Sequence, residues 1–227
     1  PHRITCRCSP RATCNDEAAV DPAAIPDERS LPEWWEARYL SGESPWDTGI
    51  VLPEIVALID SDAVVSGGEP RWALGLGCGS GVTSRFLARA GFRVIGIDLA
   101  HVALRRAHAA ARAANLPCYF LQATVAQLGY ITILADLAVD IGCLHSLAPQ
   151  ARRSYIDSLA AHLRPGARYI LYTFLHAPAF GNATGQSAGH CLTPADLAAF
   201  APHFSLLRTA HGLDRERHTA WFLMRRR

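Results

Sequence analysis

Lysine is absent from this sequence, and all 22 basic residues are arginine. That absence excludes Schiff-base chemistry, a pyridoxal phosphate site and a lysine general base. No apolar run approaches the ~20 residues that a membrane-spanning helix needs, and residues 1–30 lack the hydrophobic centre of a secretory signal. We therefore expect a soluble, cytoplasmic protein with no membrane partner.

Strong net charge and regularly spaced metal ligands are missing as well. The formal net charge is only +2, and the basic residues cluster only at 225–227, so we expect no nucleic-acid partner. The seven cysteines are odd in number and are most simply free thiols. Cys6, Cys8 and Cys14 are followed by no fourth ligand at a zinc-like spacing, so we expect no metal.

The length of the chain favours one domain with an extension. A chain of 227 residues, half of them hydrophobic, can bury one sizeable core. Residues 1–30 show no periodicity and are predicted to form a flexible N-terminal extension. Residues 31–227 are predicted to form the single domain, as a monomer.

Strand and helix patterns alternate through this domain and predict an α/β fold with a doubly wound, mostly parallel sheet. Two further strands, 204–210 and 219–224, are predicted to complete a seven-stranded sheet as a C-terminal antiparallel hairpin. A helix from Leu31 to about Ser41 precedes the sheet. The remaining predicted strands are 72–77, 93–98, 117–122, 135–141 and 168–174, with helices at 53–59, 81–90, 101–114, 149–163 and 193–200.

Four alternating glycines, at positions 75, 77, 79 and 81, follow the first strand, and Asp98 ends the second strand. A backbone that turns sharply beneath a nucleoside needs glycine, and a carboxylate at the next strand end can accept from both ribose hydroxyls. Ser80 and Val82 stand where the dinucleotide fingerprint needs glycine, and no Gly-Lys-Ser/Thr of a phosphate loop follows. The pattern indicates a nucleoside-cofactor site; a glycine-rich turn without a ligand is the alternative.

From Leu31 onward, the chain resembles the class I S-adenosylmethionine-dependent methyltransferases. Within them it resembles the small-molecule group of thiopurine, thiol and tellurite-resistance-type enzymes. The resemblance implies a Rossmann-like fold with an N-terminal helical lid, S-adenosylmethionine as cofactor, and methyl transfer to a small thiol or other heteroatom nucleophile. It is carried by the glycine turn with Asp98, and by Glu33-Trp-Trp35, Pro45-Trp-Asp47, Asp140-Ile-Gly-Cys-Leu-His145, Leu163-Arg-Pro-Gly166 and Ala220-Trp-Phe222.

The resemblance also implies a set of cofactor-binding residues. Aromatic lid residues suit a sulfonium cation and an adenine ring, although Trp34 and Trp35 could equally pack the helix onto the sheet. The implied set is Trp35, Tyr39, Trp46, Gly77, Cys78, Gly79, Gly81, Asp98, Leu99, Thr124, Val125 and Asp140.

Asp140 and His145 are the predicted catalytic residues. Asp140 would attract the cofactor's ammonium or sulfonium group, and His145 would accept a proton from the incoming nucleophile. A structural role for His145, with its hydrogen bonds satisfied, is the alternative. Trp46, Cys143, His145 and the loop 176–191 are expected to line the acceptor pocket. Cys143 is expected to be a packing residue rather than a nucleophile. The loop 176–191 suits either a mobile cover of the pocket or a plain connection.

Two positions depart from the family pattern that the resemblance implies. Gly75 stands where the family has an acid for the cofactor's amino group, and Thr124 replaces an Asp that accepts from the adenine amine. Each loss costs on the order of 1 to 3 kcal/mol if the donor stays unpaired. Weakened affinity is predicted. The alternatives are a cofactor-binding protein without catalysis, or an enzyme that uses the cofactor for another reaction.

Overall fold

The computed structural model describes residues 31–60, 71–176, 191–214 and 217–227. The predicted extension 1–30 and residues 177–190 of the predicted pocket loop lie outside the described residues. Within the described ranges, no helix combines the length and apolar character needed to cross a bilayer. The elements are α1 (Leu31–Ser41), α2 (Pro53–Asp60), β1 (Arg71–Leu76), α3 (Val82–Arg89), β2 (Phe92–Asp98), α4 (His101–Ala113), β3 (Cys118–Gln122), β4 (Ala135–Ile141), α5 (Pro149–Ala161), β5 (Leu163–Phe174), α6 (Pro194–Ala198), β6 (Phe204–Asp214) and β7 (Arg217–Arg226).

The seven strands form one sheet in the order β3-β2-β1-β4-β5-β7-β6. Strands β1 to β5 pair with one another in parallel, whereas β7 runs antiparallel to both β5 and β6. The predicted fold is therefore confirmed, including the C-terminal hairpin. The strand order reverses between β1 and β4, and in open α/β sheets such a reversal opens a crevice at the carboxyl ends of the strands.

β5 and β6 extend furthest beyond their predicted bounds, because pairing partners lie beside them. β5 begins at Leu163 rather than at 168, since Leu163 pairs with Ala135 across a register shift in β4. β6 continues through Gly212 to Asp214, where Arg217 of β7 lies opposite. Glycine and aspartate in this stretch favoured a turn in the sequence, but the hydrogen-bonded partner strand outweighs that local preference.

Helices cover both faces of the sheet, as the consecutive buried residues of β1 require. On one face, Ile55 of α2 and Leu87 of α3 are fully buried in the same apolar cluster as Ala73 of β1. On the other face, Leu74 of β1 packs in a cluster with Ile156 of α5. The two clusters fix β1 between them and so determine where the glycine turn after β1 lies.

Candidate cofactor and acceptor site

The glycine turn joins β1 to α3 and has the conformation that only glycine adopts easily. Gly77, Gly79 and Gly81 have φ of 62°, 52° and 74°. A Cβ on Gly77 would lie 2.6 Å from the Cβ of Cys143, and a Cβ on Gly79 would lie 2.6 Å from the Tyr39 hydroxyl. Glycine is thus needed here for both φ and space, and the turn presents bare backbone to the crevice.

Asp98 ties the glycine turn to the end of β2. Its carboxylate accepts from the backbone N–H of Gly79 at 2.8 Å and of Ala100 at 2.9 Å. Burial raises the pKa of Asp98, and these backbone hydrogen bonds oppose the rise only in part. A carboxylate has about four acceptor positions, so Asp98 can hold the turn and still accept from a ribose hydroxyl.

Three aromatic side chains from the N-terminal segment lie over this turn. The Trp46 indole N–H donates to the Tyr39 hydroxyl at 3.1 Å, and the Trp35 and Trp46 rings meet edge to face at 5.4 Å. Tyr39 is buried, whereas Trp46 is 45% exposed. All three line the crevice.

Polar contacts dock this lid onto α4 and the glycine turn. The Glu36 carboxylate accepts from the backbone N–H of Val102 at 3.0 Å, at the N-terminus of α4, where an anion is favoured. Arg106 donates to the Tyr39 carbonyl at 3.1 Å, and the Ser80 hydroxyl donates to Asp47 at 2.5 Å. The last bond joins the lid directly to the glycine turn.

The remaining predicted cofactor residues lie where β2 and β3 end. Leu99, Thr124 and Val125 line the crevice beside Asp98, as does Cys78. The Thr124 hydroxyl accepts from the backbone N–H of Ala126 at 3.2 Å, which stabilises its own turn. This group of residues is suitably placed to surround an adenine ring.

Gly81 and Asp140 are the predicted cofactor residues that do not line the crevice, and Asp140 packs against α5 instead. Its fully buried carboxylate accepts from the Tyr155 hydroxyl at 2.6 Å and from the backbone N–H groups of Cys143 at 2.7 Å and Leu144 at 3.0 Å. Burial raises the pKa of Asp140 to about 7.

The prediction that Asp140 contacts the cofactor is wrong for this structure. Side chains along a strand alternate between the two faces, so Val139 and Ile141 line the crevice and Asp140 points the other way, toward α5. Asp140 positions the Gly142–Leu144 turn rather than a ligand.

His145 lies at the crevice wall with its Nδ1 atom already engaged. The backbone N–H of Phe174 donates to Nδ1 at 3.2 Å, which places the proton of a neutral ring on Nε2. The Thr173 hydroxyl lies 3.2 Å from the same atom. This geometry favours the structural alternative for His145 over the proton acceptor.

Arg152 fixes the turn that carries His145. Its buried guanidinium forms an ion pair with Asp196 at 2.8 Å and donates to the carbonyls of His145, Leu147 and Cys191 at 3.3, 3.1 and 3.0 Å. These bonds reach three segments, so one side chain ties the turn at 144–147 to Cys191 and to α6.

One cavity of about 800 Å³ joins the glycine turn to a second wall that sequence reasoning largely missed. Trp221 was noted only as part of a motif, and the other members carried no motif at all. Their one signal was position, since the ends of neighbouring strands meet at one edge of a sheet. This second wall contains Glu54, Tyr172, Phe174, Asp214, Arg217 and Trp221.

Comparison with known proteins agrees with this geometry. Residues 73–166 match the family described as a methyltransferase domain. The chain is 29% identical over 154 residues to the 2-heptyl-1-hydroxyquinolin-4(1H)-one methyltransferase of Mycobacteroides abscessus, a match covering 64% of this chain and 65% of that protein. It is 28% identical over 165 residues to thiocyanate methyltransferase 1 of Brassica oleracea, covering 69% of each. The chain thus spans about two thirds of the length of these relatives.

A solved structure shares the fold over nearly its whole length. It is the 1,6-didemethyltoxoflavin-N1-methyltransferase of Burkholderia thailandensis with bound 1,6-didemethyltoxoflavin and S-adenosylhomocysteine. The two chains superpose with a TM-score of 0.68 at 23% identity, covering 87% of this chain and 88% of that one. Residues 73–166 thus match a methyltransferase domain, and the seven-stranded sheet is the fold of a solved methyltransferase, so the chain is similar to the class I S-adenosylmethionine-dependent methyltransferases.

Proposed function

We propose that this chain transfers the methyl group of S-adenosylmethionine to a small-molecule acceptor through an oxygen, nitrogen or sulfur nucleophile. The observation that carries the proposal is the continuous cavity of about 800 Å³. One end is the glycine turn with Asp98, and the other end is the aromatic wall of β5 and β7. Two reactants can therefore lie end to end without solvent between them.

The residues at the glycine turn suit this cofactor. S-adenosylmethionine supplies an activated methyl carbon when bound, so the protein contributes alignment, desolvation and charge stabilisation. The bare backbone of Gly77–Gly81 admits a nucleoside closely, and Asp98 orients it. Trp35, Tyr39 and Trp46 exclude water and favour a sulfonium, at about 0.5 to 2 kcal/mol per contact.

Gly75 remains the predicted weak point. A Cβ at this position would lie 3.0 Å from the Ser84 hydroxyl and 3.4 Å from the Cys78 Cβ, so the close packing here leaves little space for the acid of the family pattern. The cofactor's amino group then needs another acceptor, and reduced affinity stays a prediction. The sequence predictions of a cytoplasmic monomer without a nucleic-acid partner are part of this proposal.

Calorimetric titration of the full chain with S-adenosylhomocysteine tests the cofactor half of the proposal. We expect binding, and we expect Asp98→Asn to weaken it about 10- to 100-fold, because an amide replaces a charged acceptor. Asp157→Asn is the matched control, since Asp157 is an exposed acid on α5. Absence of binding at millimolar ligand would contradict the proposal.

Incubation with methyl-labelled cofactor tests the transfer itself. The acceptor panel contains a thiol, an amine, a phenol and a carboxylate. It also contains thiocyanate and a hydroxyquinolinone, because the names of two relatives point to these compounds. Label on at least one acceptor supports the proposal. Tight cofactor binding with no labelled acceptor would favour the alternatives, a binding protein or a different reaction of the cofactor.

A further inference from the structure

The acceptor end of the cavity is an aromatic wall. The rings of Tyr172 and Trp221 lie 4.9 Å apart, those of Tyr172 and Phe174 6.0 Å apart, and those of Phe174 and His145 4.7 Å apart. These residues come from β5, β7 and the turn after β4, and all of them line the cavity. A continuous row of rings favours a flat, apolar ligand that stacks or packs edge to face.

Arg217 brings a cation to this wall. Its guanidinium carbon lies 3.4 Å from the centroid of the Phe174 ring. Within the described residues, none of the ion pairs or hydrogen bonds involves this guanidinium. Stacking uses the face of a guanidinium and leaves the N–H groups around its edge able to donate to an anion.

Two carboxylates share this end of the cavity with the cation. Arg217 lies opposite Asp214 in the hairpin, and both line the cavity with Glu54. Burial raises the pKa of Tyr172, the carboxylates of Asp214 and Glu54 add to the rise, and Arg217 opposes it. In the part of the chain that the structure describes, the one ring on which the Arg217 guanidinium stacks is that of Phe174, so the cation lies at the Phe174 part of the wall.

The side chains between the glycine turn and Phe174 offer little help in removing a proton from the nucleophile. His145 already accepts a backbone N–H at Nδ1, Asp140 lies outside the cavity, and burial raises the pKa of Cys143 well above its usual range. A nucleophile that enters already ionised needs no base there, and a guanidinium beside it lowers the free energy of the anion.

Building on the proposed function, we propose that Arg217 is a specificity-determining residue that selects planar aromatic acceptors carrying one ionised oxygen or sulfur atom. The aromatic wall holds the ring, and the N–H edge of Arg217 holds the anion. Transfer forms the bond from the ionised atom to the methyl carbon and breaks the bond from that carbon to the cofactor's sulfur. The neutral methylated product and neutral S-adenosylhomocysteine remain, and no proton has to leave.

Binding of 4-nitrophenolate to the chain saturated with S-adenosylhomocysteine tests this proposal without turnover. We expect Arg217→Gln to weaken 4-nitrophenolate binding about 10- to 100-fold and Arg217→Lys to restore part of the loss, because lysine keeps the charge without the planar fork. Arg208→Gln is the matched control, as Arg208 is an exposed arginine of β6 outside the cavity. Equal binding by the Arg217→Gln and Arg208→Gln variants would overturn the proposal.

A kinetic comparison separates this inference from the proposed function. With methyl-labelled cofactor, we expect kcat/KM for 4-nitrobenzenethiol to exceed that for 2-mercaptoethanol at equal thiolate concentration. Arg217→Gln should lower that preference at least about tenfold, mainly by raising KM for 4-nitrobenzenethiol. Transfer to both thiols without preference would refute the role of Arg217 and leave the methyltransferase proposal standing. Failure of the unsubstituted chain to bind S-adenosylhomocysteine would refute the proposed function instead.

Discussion

At its proposed cofactor end the floor of the cavity is backbone beneath an aromatic lid, whereas its proposed acceptor end is walled by side chains alone. Residues 77–81 and Asp98 lie within 22 positions of one another and form the first wall from two consecutive strands and one turn. The second wall combines Glu54 of α2 with Tyr172 of β5 and Trp221 of β7. The cofactor end thus depends on local conformation, and the acceptor end depends on how distant elements pack.

Because the two ends of the cavity are built differently, they should recognise different features of a ligand. A backbone cradle binds any ligand that carries the same nucleoside, because it offers N–H groups and space rather than a particular side chain. A wall of rings and charges distinguishes ligands by shape and ionisation. We therefore expect substitutions at the two ends to act on different ligands, and three changes test this from the largest expected effect to the smallest.

Arg152→Met should have the largest effect, on the framework of the acceptor end. Removing the guanidinium takes away the ion-pair partner of the Asp196 carboxylate and one hydrogen-bond donor from each of three carbonyls, so the free energy of unfolding should fall by about 3 to 5 kcal/mol. Urea unfolding measures it. Arg153→Met is the control, because Arg153 pairs with Asp157 on the exposed face of α5 and should lose less than about 1 kcal/mol. Similar losses in both variants would contradict the role of Arg152.

Gly77→Ala should damage the cofactor end selectively. The new Cβ would lie 2.6 Å from the Cβ of Cys143 at a φ of 62°, so the turn must shift, and affinity for S-adenosylhomocysteine should fall about 10- to 100-fold by calorimetry. Gly91→Ala is the control for backbone strain, since Gly91 has a φ of 94° but no atom within 4 Å of its Cβ position. A larger loss of acceptor binding than of cofactor binding would break the distinction between the two ends.

Ionisation of the Asp140 carboxylate should have the smallest of the three effects, a change in the free energy of unfolding that depends on pH. Its pKa is about 7 in the folded chain, against an ordinary value of 3.8, so the folded state binds more protons than the unfolded state between these values. Stability should therefore decrease as pH rises from about 4 to 7, by roughly 1 to 3 kcal/mol from this group.

Urea unfolding across this pH range measures the Asp140 effect, and Asp140→Asn should flatten the decrease. Asp157→Asn is the control of opposite sign, because Arg153 and His203 lower the pKa of Asp157. An unchanged pH dependence in the Asp140 variant would show that its carboxylate is not the source.

The fold was largely predictable from the sequence, and the exceptions have a common cause. Strands of the parallel sheet were predicted to within a few residues, because buried apolar runs between amphipathic helices are local signals. The start of β5 at Leu163 and the end of β6 at Asp214 were not predicted, since both depend on a partner strand distant in sequence. Pairing across the sheet carries no signal within the strand itself.

The site was predictable only in part, for the same reason. Spacing alone located the glycine turn and Asp98. The face of the strand to which Asp140 belongs depends on the pleat of β4, and that phase was not apparent from the sequence. The Nδ1 hydrogen bond of His145 comes from Phe174, 29 positions away, and no motif indicated that Arg217 would stack on Phe174.

By itself, the sequence determined the class of cofactor, because the glycines at 77, 79 and 81 and the acid at 98 fix a backbone conformation through steric limits that act within a few residues. Tertiary structure alone decided which side chains face the cavity, which of them already have hydrogen-bond partners, and which charge stands at the acceptor end. These properties arise from contacts between strands and helices that are far apart in the chain. Burial and pairing act on side chains only after those elements have packed.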